Sequence, residues 1–275
     1  MLPKAERVDI AKDNYKKLWI YGAPFSGKTT LADQAPMPIN LNTDGNVKYV
    51  TMARLPIKDN VTVEGRITKR QFAWEVFKEA VDELEKGSEF KTIVVDLLED
   101  TYEYCRLYMY DKLGITHESD DSFRAWDKVR TEYLSTIKRL LNLPYNIILI
   151  SHEDSTKDIT KKSGDKITSI KPNINDKTAN KVAGLVDIVA RVVVEDDGTR
   201  YLSFKSNEVI FGGGRLQGIK TTEIPLSWDE LMKVYETTTP SKAEEKPTPT
   251  VEPVTETPVT TQTEEPVRRT RRVRE

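Results

Sequence analysis

Residues 22–29 read Gly-Ala-Pro-Phe-Ser-Gly-Lys-Thr, and no other stretch of the chain so narrows the folds open to it. The pattern places one glycine, four variable residues, a second glycine, a lysine and a hydroxyl residue in fixed order. It carries a mechanism only between a strand and a helix. Here the apolar run Leu18-Trp19-Ile20-Tyr21 precedes it and a helical pattern starting near Lys28 follows. Gly22 and Gly27 permit a tight loop whose backbone N–H groups turn onto phosphate oxygens, and the new helix adds its positive end. Lys28 reaches the β- and γ-phosphates as a mobile point charge, and the Thr29 hydroxyl ligates Mg²⁺. The nucleotide cradle is therefore Gly22, Ala23, Pro24, Phe25, Ser26, Gly27, Lys28, Thr29 and Thr30, with ATP and Mg²⁺ as the expected ligands.

A strand and helix of this kind imply more of the same. Three further apolar runs, Pro38–Leu41, Thr92–Val95 and Ile147–Ile150, alternate with helical patterns over Phe72–Leu84, Leu98–Leu113 and Phe123–Leu143. Gly87 stops the first helix and Pro144 the last. Such alternation predicts an α/β core with a mainly parallel sheet flanked by helices. Val189–Glu195 and Arg200–Phe204 flank Asp196-Asp197-Gly198-Thr199, a turn sequence that predicts an antiparallel hairpin at the edge of that sheet.

The parallel arrangement brings strand ends to one crevice. Asp96 ends the run Thr92-Ile93-Val94-Val95, so its carboxylate is the expected partner of Thr29 in holding the metal. Glu99 and Asp100 read as first-turn charges of the helix that follows. A group that orients or deprotonates an attacking water should also lie at a strand end. Asp44, after the second strand, and His152, after the fourth, are the candidates. Asp44 also suits the turn of an Asp-Gly pair, and His152 a polar cap. His117 lies in the polar stretch Thr116–Asp120 and reads as loop.

With these strand ends in order, the chain resembles the phage-encoded P-loop ATPases with a RecA-like core, a group that includes single-strand annealing and recombination proteins. The resemblance rests on Ile20–Leu31, Asn42-Thr43-Asp44-Gly45, Ile93–Asp96, Leu149–Glu153 and Gly184–Arg191 with the hairpin after it, and spans Lys16 to Glu236. It implies an ATPase acting on single-stranded DNA in recombination or replication, working as a homo-oligomer, with a single-strand-binding protein as a further partner. In that family a glutamate ends the segment after the second strand; Asp44 stands there, one methylene shorter. His152 occupies the position of the family's glutamine γ-phosphate sensor. Arg215, in Phe211-Gly212-Gly213-Gly214-Arg215, matches the basic residue that enters a neighbour's ATP site, although glycines replace the lysine common just before it. A P-loop kinase of a small molecule or nucleotide, and an ATP-binding interaction protein without turnover, share the P-loop and stay open.

Acidic and basic residues nearly balance at a formal net charge of -2, so any nucleic-acid contact must be local. Ser155–Lys171 supplies a local basic element, a polar hairpin turned by Ser163-Gly164-Asp165 and carrying Lys157, Lys161, Lys162 and Lys166; it lacks the aromatic side chains that stack bases. A lone cysteine, Cys105, excludes an internal disulfide framework and a multi-cysteine zinc site. No run approaches the ~20 apolar residues of a membrane span. The stretch Met1–Arg7 mixes both charges, so a soluble cytoplasmic protein with no membrane partner is expected, in the host cytoplasm if phage-encoded. Residues 1–236 form the expected ATPase domain. Residues 237–275, rich in Thr, Pro and Glu and ending in the Arg268–Arg274 cluster, have too few large apolar residues to offset their ordering entropy and are expected to be disordered.

Overall fold

The computed structural model describes residues 15–115, 122–160, 164, 166–216 and 222–237. Residues 238–275 of the expected disordered tail with its arginine cluster, His117, and the hairpin residues Lys161, Lys162, Ser163 and Asp165 lie outside them, while Thr237, expected in the tail, is the last residue of a helix. The first half of the chain runs β1 (Lys17–Gly22), α1 (Lys28–Asp33), β2 (Pro38–Asn42), β3 (Ala53–Pro56), β4 (Asn60–Glu64), β5 (Ile67–Gln71), α2 (Ala73–Glu85), β6 (Thr92–Asp96) and α3 (Leu98–Leu113). Then come α4 (Ser122–Leu141), β7 (Asn146–Asp154), β8 (Asp158–Thr160), β9 (Lys166–Thr168), β10 (Lys171–Pro172) and α5 (Asp176–Ala183). The last described elements are β11 (Ile188–Val194), β12 (Arg200–Ser203), β13 (Gly213–Gly214), β14 (Glu223–Pro225) and α6 (Trp228–Thr237).

The main sheet has the order β14-β12-β11-β1-β7-β6-β2-β3. Its six strands from β11 to β3 are parallel. β12 and β14 continue it antiparallel. The core is an α/β P-loop architecture, a mainly parallel sheet between helices with an antiparallel edge. β1, β6 and β7 are buried on both faces, which is why each reads as a continuous apolar run rather than an alternating one. Alternate residues feed two separate cores. Trp19, Tyr21, Ile93, Val95, Ile147 and Leu149 face α2, α3 and α4, against Trp74, Phe77 and Tyr133. Leu18, Ile20, Val94, Ile148 and Ile150 face the opposite side, where α1 brings Leu31 and α6 brings Trp228 and Leu231.

The structure differs from the sequence expectation at several element ends. The helix expected over Phe123–Leu143 stops at Leu141, because Leu143 precedes Pro144 and the proline ring excludes helical geometry there. α1 is only six residues long and ends before Pro36 for the same reason. Between the second and third predicted strands the chain also forms β3, at the sheet edge, and the separate antiparallel pair β4 and β5. β4 alternates over only five residues with Val61 and Val63 both exposed, and β5, Ile67-Thr68-Lys69-Arg70-Gln71, does not alternate, so the pair has no buried face to mark it and stayed hidden. The Asp-Gly hairpin joins β11 to β12, with Val194 opposite Arg200 and Gly198 at φ 83° in its turn. Among the described residues no helix is long and apolar enough to cross a membrane.

Candidate functional site

β1 lies between β7 and β11, with Gly22 level with His152 on one side and Val192 on the other. The two motif glycines answer separate constraints. A Cβ on Gly22 would stand 2.6 Å from the Val192 carbonyl oxygen, so close passage beside β11 excludes a side chain. Gly27, the N-cap of α1, has φ 98°, a left-handed conformation that glycine adopts without strain. No side chain caps α1, so its first N–H groups are left for another acceptor. Ser26 Oγ is buried in the same loop without a hydrogen-bond partner among the described residues. Phe25, at φ 64°, points into solvent.

Lys28 is buried, and its Nζ donates to the carbonyls of Gly22, at 3.0 Å, and Ala23, at 2.8 Å. Burial holds its pKa below the ordinary lysine value, opposed by the negative charges of Asp96, Glu99 and Glu153. An incoming phosphate supplies the counter-charge that this ammonium lacks. Thr29 Oγ1 donates to Asp96 Oδ2 at 2.9 Å. Burial pushes the Asp96 carboxyl up to about 6; the Thr29 bond opposes that shift and the nearby Asp44 charge adds to it. A hydroxyl and a buried carboxylate are hard oxygen donors suited to Mg²⁺. No cluster of three or more His, Cys, Asp or Glu among the described residues could hold a metal alone. The donor set therefore fits a magnesium ion that arrives with a triphosphate.

These groups line one cavity of about 550 Å³, which also takes in Pro24 to Thr30, Asp44 and His152. Asp44 is exposed, and its Oδ1 accepts from Asn42 Nδ2 and from the Asn46 N–H, each at 2.9 Å. One carboxylate oxygen thus serves the local turn. His152, on β7, lines the same cavity. Glu99 Oε1 accepts the His152 main-chain N–H at 2.8 Å and lies 3.2 Å from His152 Nδ1. Glu99 does sit in the first turn of α3, as expected, but its side chain turns inward to the end of β7. Asp100 accepts from Thr43 Oγ1 at 2.6 Å and so ties the β2 loop to α3.

The expected basic residues fall in different places. β13 pairs Gly214 with Ile188 and Gly213 with Val189, at the start of β11, four residues from the level of Gly22. Arg215, whose N–H donates to the Asp187 carbonyl, lies one residue further, which at about 3.3 Å per residue is roughly 16 Å down the sheet from its own P-loop. Arg215 is exposed there. Arg200, at the start of β12, lines the cavity instead; its Cδ would lie 3.5 Å from a Cβ on Gly27. Sequence reasoning missed Arg200 and Glu99, since only hairpin register and helix packing bring them to the P-loop. Arg191 is committed elsewhere, paired with Glu153 at 2.6 Å. β8 and β9 form an antiparallel hairpin directly after β7, with Lys157 and Lys166 exposed on it.

No curated protein matches the chain. A family model described as an AAA domain matches residues 14–216, a span that includes the whole P-loop, Asp96, His152 and the β11–β12 hairpin. The chain belongs to the AAA domain family and is a P-loop nucleotide-binding protein of that kind, with Lys28, Thr29 and Asp96 as its candidate site.

Proposed function

We propose that the protein binds ATP with Mg²⁺ and hydrolyses it to ADP and phosphate, and that this turnover serves an action on single-stranded DNA in recombination or replication by a phage-type homo-oligomer. The observation that carries the nucleotide reading is the convergence of Lys28, the Thr29–Asp96 pair and His152 on one cavity. Lys28 would leave the Gly22 and Ala23 carbonyls for the β- and γ-phosphates, while the bare start of α1 and Ser26 Oγ donate hydrogen bonds to the remaining oxygens. Thr29 and Asp96 would hold the magnesium ion, which when bound neutralises charge on the β- and γ-oxygens. The DNA part of the reading is supported by the lysine-bearing β8–β9 hairpin, which leaves β7 two residues after His152 and could respond to the γ-phosphate through it.

An ATPase assay with and without single-stranded DNA, run beside a sizing experiment with nucleotide, tests it. Turnover stimulated by DNA supports the reading. Turnover requiring a small acceptor favours a kinase, and binding without turnover an interaction protein. Replacing Lys157 and Lys166 by alanine should flatten the salt dependence of DNA binding, by about 0.7 in log–log slope for each phosphate that is no longer neutralised.

A further inference from the structure

Resting on the hydrolase reading, we infer that Glu99 and His152 form a carboxylate–imidazole pair in which His152 takes the proton of the attacking water and Glu99 is its positioning residue. Three observations carry this. Glu99 Oε1 sits 3.2 Å from Nδ1 and also accepts the main-chain N–H of the same residue, so one carboxylate oxygen fixes both the backbone and the ring. The Glu99 side chain is 12% exposed, and Oε2 is buried without a hydrogen-bond partner among the described residues. His152 is more open, at 35%, and lines the cavity that Lys28, Thr29 and Asp96 share.

A carboxylate beside Nδ1 keeps the proton on that nitrogen and leaves the Nε2 lone pair as the ring's acceptor. As the water oxygen bonds to the γ-phosphorus, its proton passes to Nε2 and the bond from phosphorus to the ADP oxygen breaks. The imidazolium, stabilised by Glu99, then returns the proton to the phosphate formed. Asp44 is the less suited carboxylate for this work, since its Oδ1 already holds the Asn42–Asn46 turn.

Glu99→Gln tests the pairing, because a glutamine oxygen can still accept the main-chain N–H while the charge is lost. We expect kcat to fall roughly 10- to 1000-fold with ATP affinity within about twofold of the unmodified protein. In a His152→Gln background the same substitution should change kcat less than about threefold, since the group that it positions is gone. The chain has two histidines, so imidazole nitrogen NMR at about pH 8.5 reads His152 directly once His117→Gln removes the other signal. The Nδ1–H tautomer is expected, moving to Nε2–H in Glu99→Gln. A kcat within twofold of the unmodified protein, an equal factor in both backgrounds, or an unmoved tautomer would each overturn the pairing. A parent protein that binds ATP without any turnover overturns the hydrolase reading itself, and this role with it.

Discussion

Thr29 Oγ1 and Asp96 Oδ2 stand 2.9 Å apart, joining the first turn of α1 to the end of β6 although β7 lies between β6 and β1 in the sheet. The bond joins two residues that line the candidate nucleotide cavity. It also buries a carboxylate that burial disfavours in its charged form.

Asp96 therefore makes the nucleotide-free protein sensitive to pH. Its carboxyl titrates at about 6 in the fold against 3.8 as a reference. A raised acid binds its proton more tightly when folded, so its contribution favours the fold at low pH and fades as pH rises from about 4 through 6. Asp96→Asn should remove that penalty, by up to about 3 kcal/mol at pH 7.5. In thermal melts without nucleotide, the variant should melt higher than the unmodified protein at pH 7.5, the gap closing near pH 4. The same variant should lose Mg²⁺-dependent stabilisation by ATP.

Lys28→Ala should abolish or strongly weaken ATP binding, by about 10- to 100-fold at least, since a charge-assisted bond to phosphate contributes roughly 1.5–3 kcal/mol. Its own fold should not suffer, because Lys28 is a buried ammonium held by two carbonyls rather than by a carboxylate. Calorimetric titration with ATP, beside a melt, separates the two effects. Unchanged ATP affinity would remove the basis of the whole site.

Gly22→Ala and Gly45→Ala should differ sharply. The first drives a methyl group to 2.6 Å from the Val192 carbonyl and parts β1 from β11, at a cost of about 1–3 kcal/mol. The second meets no atom within 4 Å and carries only the strain of φ 74°, about 1 kcal/mol. Denaturant midpoints compare them.

Arg200→Ala should weaken ATP binding by about three- to tenfold even in isolated subunits, because Arg200 lines the cavity of its own chain. Arg215→Ala should leave that binding unchanged and lower turnover only where subunits associate, since it lies at the far end of β11. ATP titration at low protein concentration, then turnover across a concentration series, tells the two arginines apart. A loss of binding by dilute Arg215→Ala would contradict the placement.

The placement of the candidate site was legible in the sequence wherever chemistry and chain direction coincide. Gly22 to Thr29 carries its own loop and helix start, and Asp96 announces itself as the charge ending a fully buried strand whose three preceding residues, Ile93, Val94 and Val95, are apolar. The parallel core followed from runs buried on both faces. Asp44 was legible as the turn residue of its Asp-Gly pair, and its carboxylate does accept from Asn42 and the Asn46 N–H; less legible was which other side chains share its cavity.

What the sequence by itself determined is the phosphate cradle and the class of sheet that presents it, because backbone geometry and burial periodicity are local properties of short segments. Only the tertiary structure decided which charges face that cradle. Glu99 meets His152 because α3 packs across the end of β7, and Arg200 reaches Gly27 because the β11–β12 register sets it beside the P-loop, while β13 carries Arg215 to the other end of the sheet. Glu99 and His152 are 53 residues apart in the chain, Gly27 and Arg200 173, and the paired Ile188 and Gly214 26. Packing and strand pairing bring such residues together, and no spacing along the chain encodes them.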